Sequence, residues 1–250
     1  MGILRGYIDD GGSPKDPKHS AFAFAGYIAT VETWNAFDLE WRAMLDENQV
    51  TYLHLSELND PKSPLNRLEG WRKDYLLKTA IDVIERHDLY GVGAVVRLED
   101  LSRFNAEKSQ HVDARALALY SCIFEIYSKF KGNGAEIWVD RIEKPLEVIE
   151  TAVEYAKSYV SDDASENLEI YPLRNEQTFR NVLPMQAADF AVYEAWKFNG
   201  SGPRRETFGG LMKASYVHGI LWNYDWLSRS DFYNLKDGRW AWGFWSGLNL

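Results

Sequence analysis

Five acidic side chains fall where a folded α/β chain would bring its segments together. Asp9 and Asp10 close a strand-like stretch, ILRGYIDD, and Asp140 closes another, AEIWVD. Glu57 sits in the short segment TYLHLSEL, and Asp189 lies in PMQAADFAVYEAW, residues 184–196. Read as a helix opened by Pro184, that last segment puts Met185, Ala188, Val192 and Trp196 on an apolar stripe, with Gln186, Asp189 and Tyr193 on the adjacent face. An ionised acid beside an apolar face is costly unless it is paired or metal-bound. Acids from distant segments that converge at strand ends, with few bases nearby, repel one another unless divalent cations hold them. Hard oxygen ligands favour Mg²⁺ or Mn²⁺ over zinc. Two such ions about 3.5–4 Å apart can activate water and stabilise the leaving oxygen in phosphodiester hydrolysis. Strand alternation sets Tyr7 and Asp9 on one face and Ile8 and Asp10 on the other, so Asp9 is expected to point into the site and Asp10 away from it.

Plainer roles compete with each of these. A lone aspartate at a strand end is ordinarily a turn or cap residue, and only Asp9, Asp140 and Asp189 taken together argue for a site. Gln186 is expected to bond backbone rather than substrate. His54 beside Glu57 could shuttle a proton, but a hydrogen-bonded structural histidine is the commoner case. His19, His87, His111 and His218 lack metal-site spacing, and no P-loop, G-x-S-x-G or G-x-G-x-x-G pattern occurs.

The elements that must position these groups alternate in type. Strands are expected over 3–9 and 20–30, joined by the long loop DDGGSPKDPK as an antiparallel hairpin. A helix follows over 31–47, with Trp34, Phe37, Trp41, Met44 and Leu45 on one side, and a second over 69–87 through Trp71, Tyr75, Leu76, Ile81 and Ile84. Next come a strand over 89–98, a helix over 113–130, a strand over 135–140, a helix from Pro145 to about Val160, a strand near 168–173 and the helix at 184–196. The order predicts an α/β domain with a mixed sheet, its antiparallel part first and its crossovers later.

The combination of YIDDGG at 7–12, HLSEL at 54–58, WVD at 138–140 and QAADFAVY at 186–193 resembles an uncharacterised bacterial family, the domain of unknown function numbered thirty-eight hundred, which looks RNase H-like. The likeness covers roughly residues 3–198. It implies an RNase H-like mixed β-sheet flanked by helices, in which Asp9, Glu57, Asp140 and Asp189 hold two metal ions. Position 10 departs from the family's more usual Asp-Glu-Ser-Gly, since the run here is Asp-Asp-Gly-Gly.

Composition narrows the partners. The chain has 250 residues, 28 basic against 37 acidic, for a formal net charge of −9. That excess works against sequence-independent nucleic-acid binding by charge alone. Local basic groups must then carry the phosphates, and Arg174, Arg180, Arg204 and Arg205 are the expected ones. A single cysteine, Cys122, in an apolar helical pattern indicates a buried thiol and a reducing cytoplasm. Neither a signal peptide nor an apolar run of about 18 residues is present, so a cytoplasmic protein without a membrane segment is expected. Six tryptophans between 196 and 245 follow no period. They suggest an aromatic C-terminal extension over 200–250, packed on the 1–199 domain, contacting a second copy or a partner protein, or serving as a platform for bases.

The leading expectation is a Mg²⁺- or Mn²⁺-dependent nuclease acting on DNA or RNA. The competing one is a non-catalytic RNase H-like binding or regulatory protein, such as one of a phage-defence or toxin-antitoxin system. A carbohydrate-active enzyme lacks a recognisable acid pair.

Overall fold

The computed structural model describes residues 3–16, 18–109, 111–130, 133–140, 144–157, 168–173, 178–198 and 218–222. Arg174, Arg204 and Arg205, and all of the aromatic extension but 218–222, lie outside the described residues. The strands are β1 (Leu4–Gly11), β2 (Ala21–Thr30), β3 (Tyr90–Arg97), β4 (Ala135–Val139), β5 (Leu168–Pro172) and β6 (His218–Trp222). The helices are α1 (Val31–Glu47), α2 (Gly70–Arg86), α3 (Leu98–Lys108), α4 (Ala114–Lys129), α5 (Pro145–Lys157) and α6 (Leu183–Phe198). They form an α/β fold around one mixed sheet of order β5-β4-β1-β2-β3-β6. β1, β2 and β3 pair antiparallel, whereas β4, β5 and β6 join parallel to their neighbours. Among the described residues no helix is long and apolar enough to cross a membrane.

β2 shows how sequence alternation builds two cores. Phe22, Phe24 and Ile28 enter the cluster that includes α3, α4 and α5, while Ala21, Ala23, Ala25, Tyr27 and Ala29 enter the one that includes α1, α2 and α6. The alanines matter on the second face, because small side chains let α6 lie close over β1 and β2. Gly26 serves a similar end within the sheet: a Cβ there would come within 1.9 Å of the Tyr7 carbonyl oxygen. α6 itself is buried nearly all round from Leu183 to Val192, so it acts as a core helix rather than an amphipathic surface one.

Most expected elements are present, with three differences. All five expected α1 residues are buried. On α2, however, Trp71 and Tyr75 are 66% and 45% exposed, and the buried face is Leu76, Leu77, Ala80, Ile81, Val83 and Ile84. Placing Trp71 and Tyr75 on the inward face of α2 is therefore corrected: they head an i, i+4 row beside the buried stripe and pair outward with Glu69 and Glu47. α3 was not anticipated, because it buries only Leu101 and Phe104. Nor was β6, which adds an edge strand from the segment expected to be extension.

α1 begins on a side-chain cap: Thr33 N–H donates to Thr30 Oγ1 at 3.1 Å. Thr30→Ala should cost about 1 kcal/mol of stability in urea unfolding, with the slope unchanged. A loss below ~0.3 kcal/mol would mean that water replaces the cap without cost.

Candidate metal centre

The carboxylate cluster follows from where one ladder stops. β1 and β4 pair from Leu4 opposite Ala135 to Ile8 opposite Val139, and there β4 ends. Asp140 N–H then donates to the Ile8 carbonyl at 2.9 Å, which fixes Asp140 beside the next two residues of β1. Asp9 and Asp10 continue along β2, opposite Ala25 and Phe24, beyond the last β1–β4 pair. One oxygen from each of Asp9, Asp10 and Asp140 lies within 4.8 Å of the others. The expectation that Asp10 turns away is thereby corrected. Alternation does send Asp9 toward Asp189 on α6 and Asp10 toward Arg115 on α4. At the end of the β4 ladder, though, no described strand pairs with Asp9 and Asp10 on that side, and Asp140 lies within reach of both.

The electrostatics reflect that crowding. Burial pushes the Asp9 carboxyl well above its usual range, and the charges of Asp189, Asp140 and Asp10 push it further, while the Asp10 N–H, donating at 2.8 Å, pulls it back. Asp10 is pushed up to about 7, by burial first and then by Asp140, with its own N–H and Arg115 opposing. Arg115 is itself held by Asp113, the N-cap of α4, at 2.6 Å.

Asp189 approaches from α6. Burial raises its pKa, while His54 and the Leu55 N–H work the other way. Asp189 Oδ2 accepts from Leu55 N–H at 2.6 Å, and Oδ1 lies 3.6 Å from His54 Nε2. One turn earlier, Gln186 Oε1 accepts from Leu53 N–H at 2.9 Å. Residues at i and i+3 of α6 thus capture the N–H of Leu53 and that of Leu55, which opens a 3-10 turn over Leu55–Leu58, and this explains why Gln186 and Asp189 share a face. Gln186 also accepts from Trp41 Nε1 at 2.9 Å and donates to the Phe179 carbonyl at 2.7 Å, so its partners are protein groups, two of them backbone, as expected.

No family model matches this chain, and no curated protein does. The site therefore rests on its own geometry.

Glu57 stands apart from the three-carboxylate group. Its Oε2 accepts from Tyr52 at 2.6 Å and Ser63 at 2.7 Å, and Oε1 lies 3.6 Å from Arg180. Burial opposes ionisation there, but those hydrogen bonds and the His54 and Arg180 charges together lower its pKa. Arg180, the one expected phosphate-binding arginine among the described residues, packs over Tyr52 at 4.7 Å and Phe179 at 5.6 Å from the ring centroids. His54 stacks on Phe179 at 4.3 Å with rings 17° apart, and Ser56 Oγ lies 3.0 Å from its Nδ1. Cys122 is buried, with its thiol pKa raised by burial, as its apolar surroundings suggested.

Sequence reasoning missed Arg115, Tyr52 and Ser63, and it set Asp10 aside in favour of Asp9. Adjacency to Asp9 was the one available signal for Asp10, and it needed the strand register to become usable. Arg115 had a helix-cap signal, Asp113 two residues earlier, but nothing that tied it to β1.

Proposed function

We propose that the chain is a divalent-metal-dependent nuclease of RNase H-like type. The observation that carries this reading is the meeting of Asp9, Asp10 and Asp140, whose oxygens lie within 4.8 Å of one another at the ends of two parallel neighbours. The mixed sheet, antiparallel first and crossing over later, supports the RNase H-like part. The residues fit a hard cation: the donors are all carboxylate oxygens, and the buried Asp9 has too many like charges around it to ionise freely without one. Asp9, Asp10 and Asp140 would hold the ion, with Asp189 beside them. Bound there, Mg²⁺ or Mn²⁺ supplies the positive charge that phosphodiester hydrolysis draws on. The chain's own part is positional. α6 fixes Asp189 through Leu55, Arg115 balances the outer side of Asp10, and the sheet end keeps Asp9 dry.

The competing reading, a non-catalytic binding or regulatory protein, is favoured by Glu57, whose two oxygens are engaged by Tyr52, Ser63 and Arg180. Mn²⁺ titration by calorimetry on the wild type and Asp140→Asn separates the two, followed by incubation of both with single- and double-stranded DNA and RNA. The nuclease reading expects metal binding that is lost in the variant, and cleavage by the wild type alone. Metal binding without cleavage of any of the four substrates would move the assignment to the non-catalytic scaffold. Wild type that binds no metal would sink the metal centre itself.

A further inference from the structure

Between α1 and α2 the chain forms only two short 3-10 turns, Leu55–Leu58 and Leu65–Arg67, with no strand ladder to fix their course. Side chains must do it. Glu57 supplies the central group: its Oε2 accepts from Tyr52 at 2.6 Å and from Ser63 at 2.7 Å, and Arg180, from the turn before α6, lies 3.6 Å from Oε1. Ser63 Oγ in turn accepts from Leu65 N–H at 3.1 Å, which ties in the second turn. Tyr52 and Ser63 are buried, so water competes little for these bonds.

The residues enclosed by this clasp are the ones that hold α6. Tyr52 and Glu57 bracket Leu53, whose N–H goes to Gln186, and Leu55, whose N–H goes to Asp189 Oδ2 at 2.6 Å. Between them His54 Nε2 lies 3.6 Å from Asp189 Oδ1. Both oxygens of Asp189 thus face a stretch of backbone whose two ends are joined by the Tyr52–Glu57 bond. Among the charges around Asp9, that of Asp189 acts on it most strongly. Carboxylates at an ion are held in place by outer hydrogen bonds, and loss of those typically lowers metal affinity about 10–100-fold.

We propose that Glu57 is a positioning residue of the metal centre: by tying Tyr52 to Ser63 it holds the Leu53–Leu55 backbone on α6 and so fixes Asp189 beside Asp9. The role rests on the metal-centre reading for its consequence, whereas the clasp itself is tested without metal. Chemistry separates it from a ligand role. A hard cation needs the carboxylate charge, but Tyr52 and Ser63 need only an acceptor oxygen, which glutamine keeps.

Two quantities are measured: exchange of the Leu55 amide proton by NMR in EDTA, and Mn²⁺ affinity by calorimetry. The proteins are the wild type, Glu57→Gln, Glu57→Ala, Tyr52→Phe, the Tyr52→Phe/Ser63→Ala double variant and Thr30→Ala. Tyr52→Phe keeps the ring and its packing, which covers the case in which a harsher variant misfolds. Thr30→Ala removes the α1 cap, shares no partner with the clasp and controls for a general loss of stability.

In Glu57→Ala and the double variant, Mn²⁺ affinity should fall about ten-fold, and Leu55 should exchange about ten-fold faster than in Thr30→Ala. Tyr52→Phe should show about a three-fold loss of affinity, while Glu57→Gln and Thr30→Ala stay within about two-fold of the wild type. Binding as weak in Glu57→Gln as in Glu57→Ala, with Tyr52→Phe unaffected, would make Glu57 a ligand and overturn the assignment. So would an equal loss of affinity in Thr30→Ala, or a double variant with unchanged affinity or unchanged Leu55 exchange, and in each of these cases the metal centre would stand. A wild type that binds no Mn²⁺ would overturn the metal centre and this role with it.

Discussion

Gln186→Leu should destabilise the protein by about 2–6 kcal/mol, the cost of leaving two buried N–H groups unpaired at about 1–3 kcal/mol each, while the part-buried Phe179 carbonyl can turn to water. The two N–H groups, Trp41 Nε1–H and Leu53 N–H, donate to Gln186 Oε1, and the Phe179 carbonyl accepts from Nε2. Gln186, Trp41 and Leu53 are all fully buried, so water cannot enter without displacing packed side chains. Leucine matches glutamine closely in volume, and the loss therefore reports hydrogen bonding rather than a cavity. Urea unfolding followed by far-UV circular dichroism measures it. A loss under 1 kcal/mol would show that the two N–H groups find other partners and that Gln186 is not the joint between α1, α6 and the 53–55 segment. A joint of this kind also predicts a distant effect. With Leu53 released, Leu55 should hold Asp189 less firmly, because the two N–H groups are two residues apart on one stretch of backbone.

Much of this architecture was legible in the sequence for reasons that are local. The α1 stripe needs only a 3.6-residue period, and Trp34, Phe37, Trp41, Met44 and Leu45 all obey it. Alternating size in AFAFAGYIAT, phenylalanine against alanine, marks a strand between two helical layers before any partner is known. Gln186 and Asp189 could be placed on one helical face by spacing alone. What they grasp could not, since Leu53 and Leu55 lie more than 130 residues away in sequence.

The remainder was hidden because it depends on nonlocal facts. Asp10 joins Asp9 and Asp140 only because β4 stops at Val139, and no rule of alternation contains the length of a neighbouring strand. Glu57, a candidate ligand in its short segment, is surrounded by Tyr52, Ser63 and Arg180 once the chain folds back on itself. Trp71 misled for a different reason. A large aromatic at helical spacing is usually core, but here it sits near the start of α2, outside the layer that the helix covers, and donates to Glu69. β6 had five residues in a stretch whose aromatic richness concealed any strand pattern.

Asp10→Asn should make the metal-free protein more stable at pH 8, by about 2–4 kcal/mol, and should make no difference near pH 4. The Asp10 carboxyl has a folded-state pKa of about 7, raised first by burial and next by the charge of Asp140. In the unfolded chain it would titrate near 3.9. A carboxyl whose pKa is raised by folding contributes most stability while protonated, below about pH 4, and that contribution is lost as pH rises through about 7. Three units at about 1.4 kcal/mol each set an upper bound near 4 kcal/mol, and the part of Asp10 that meets solvent lowers it. Asparagine keeps the shape and removes the charge, so the wild-type penalty at pH 8 disappears. Mn²⁺ should then reverse the order. Ions that bind only the folded state stabilise by mass action, and the wild type, with all three carboxylates, should gain more than the variant. Thermal unfolding at pH 4, 6 and 8, in EDTA and in Mn²⁺, supplies every comparison required. A variant less stable than wild type at pH 8 in EDTA would mean that Asp10 is held by favourable contacts and does not strain against its neighbours. The same order in Mn²⁺ as in EDTA would mean that the cluster holds no ion, and the three acids would then mark only the end of a strand.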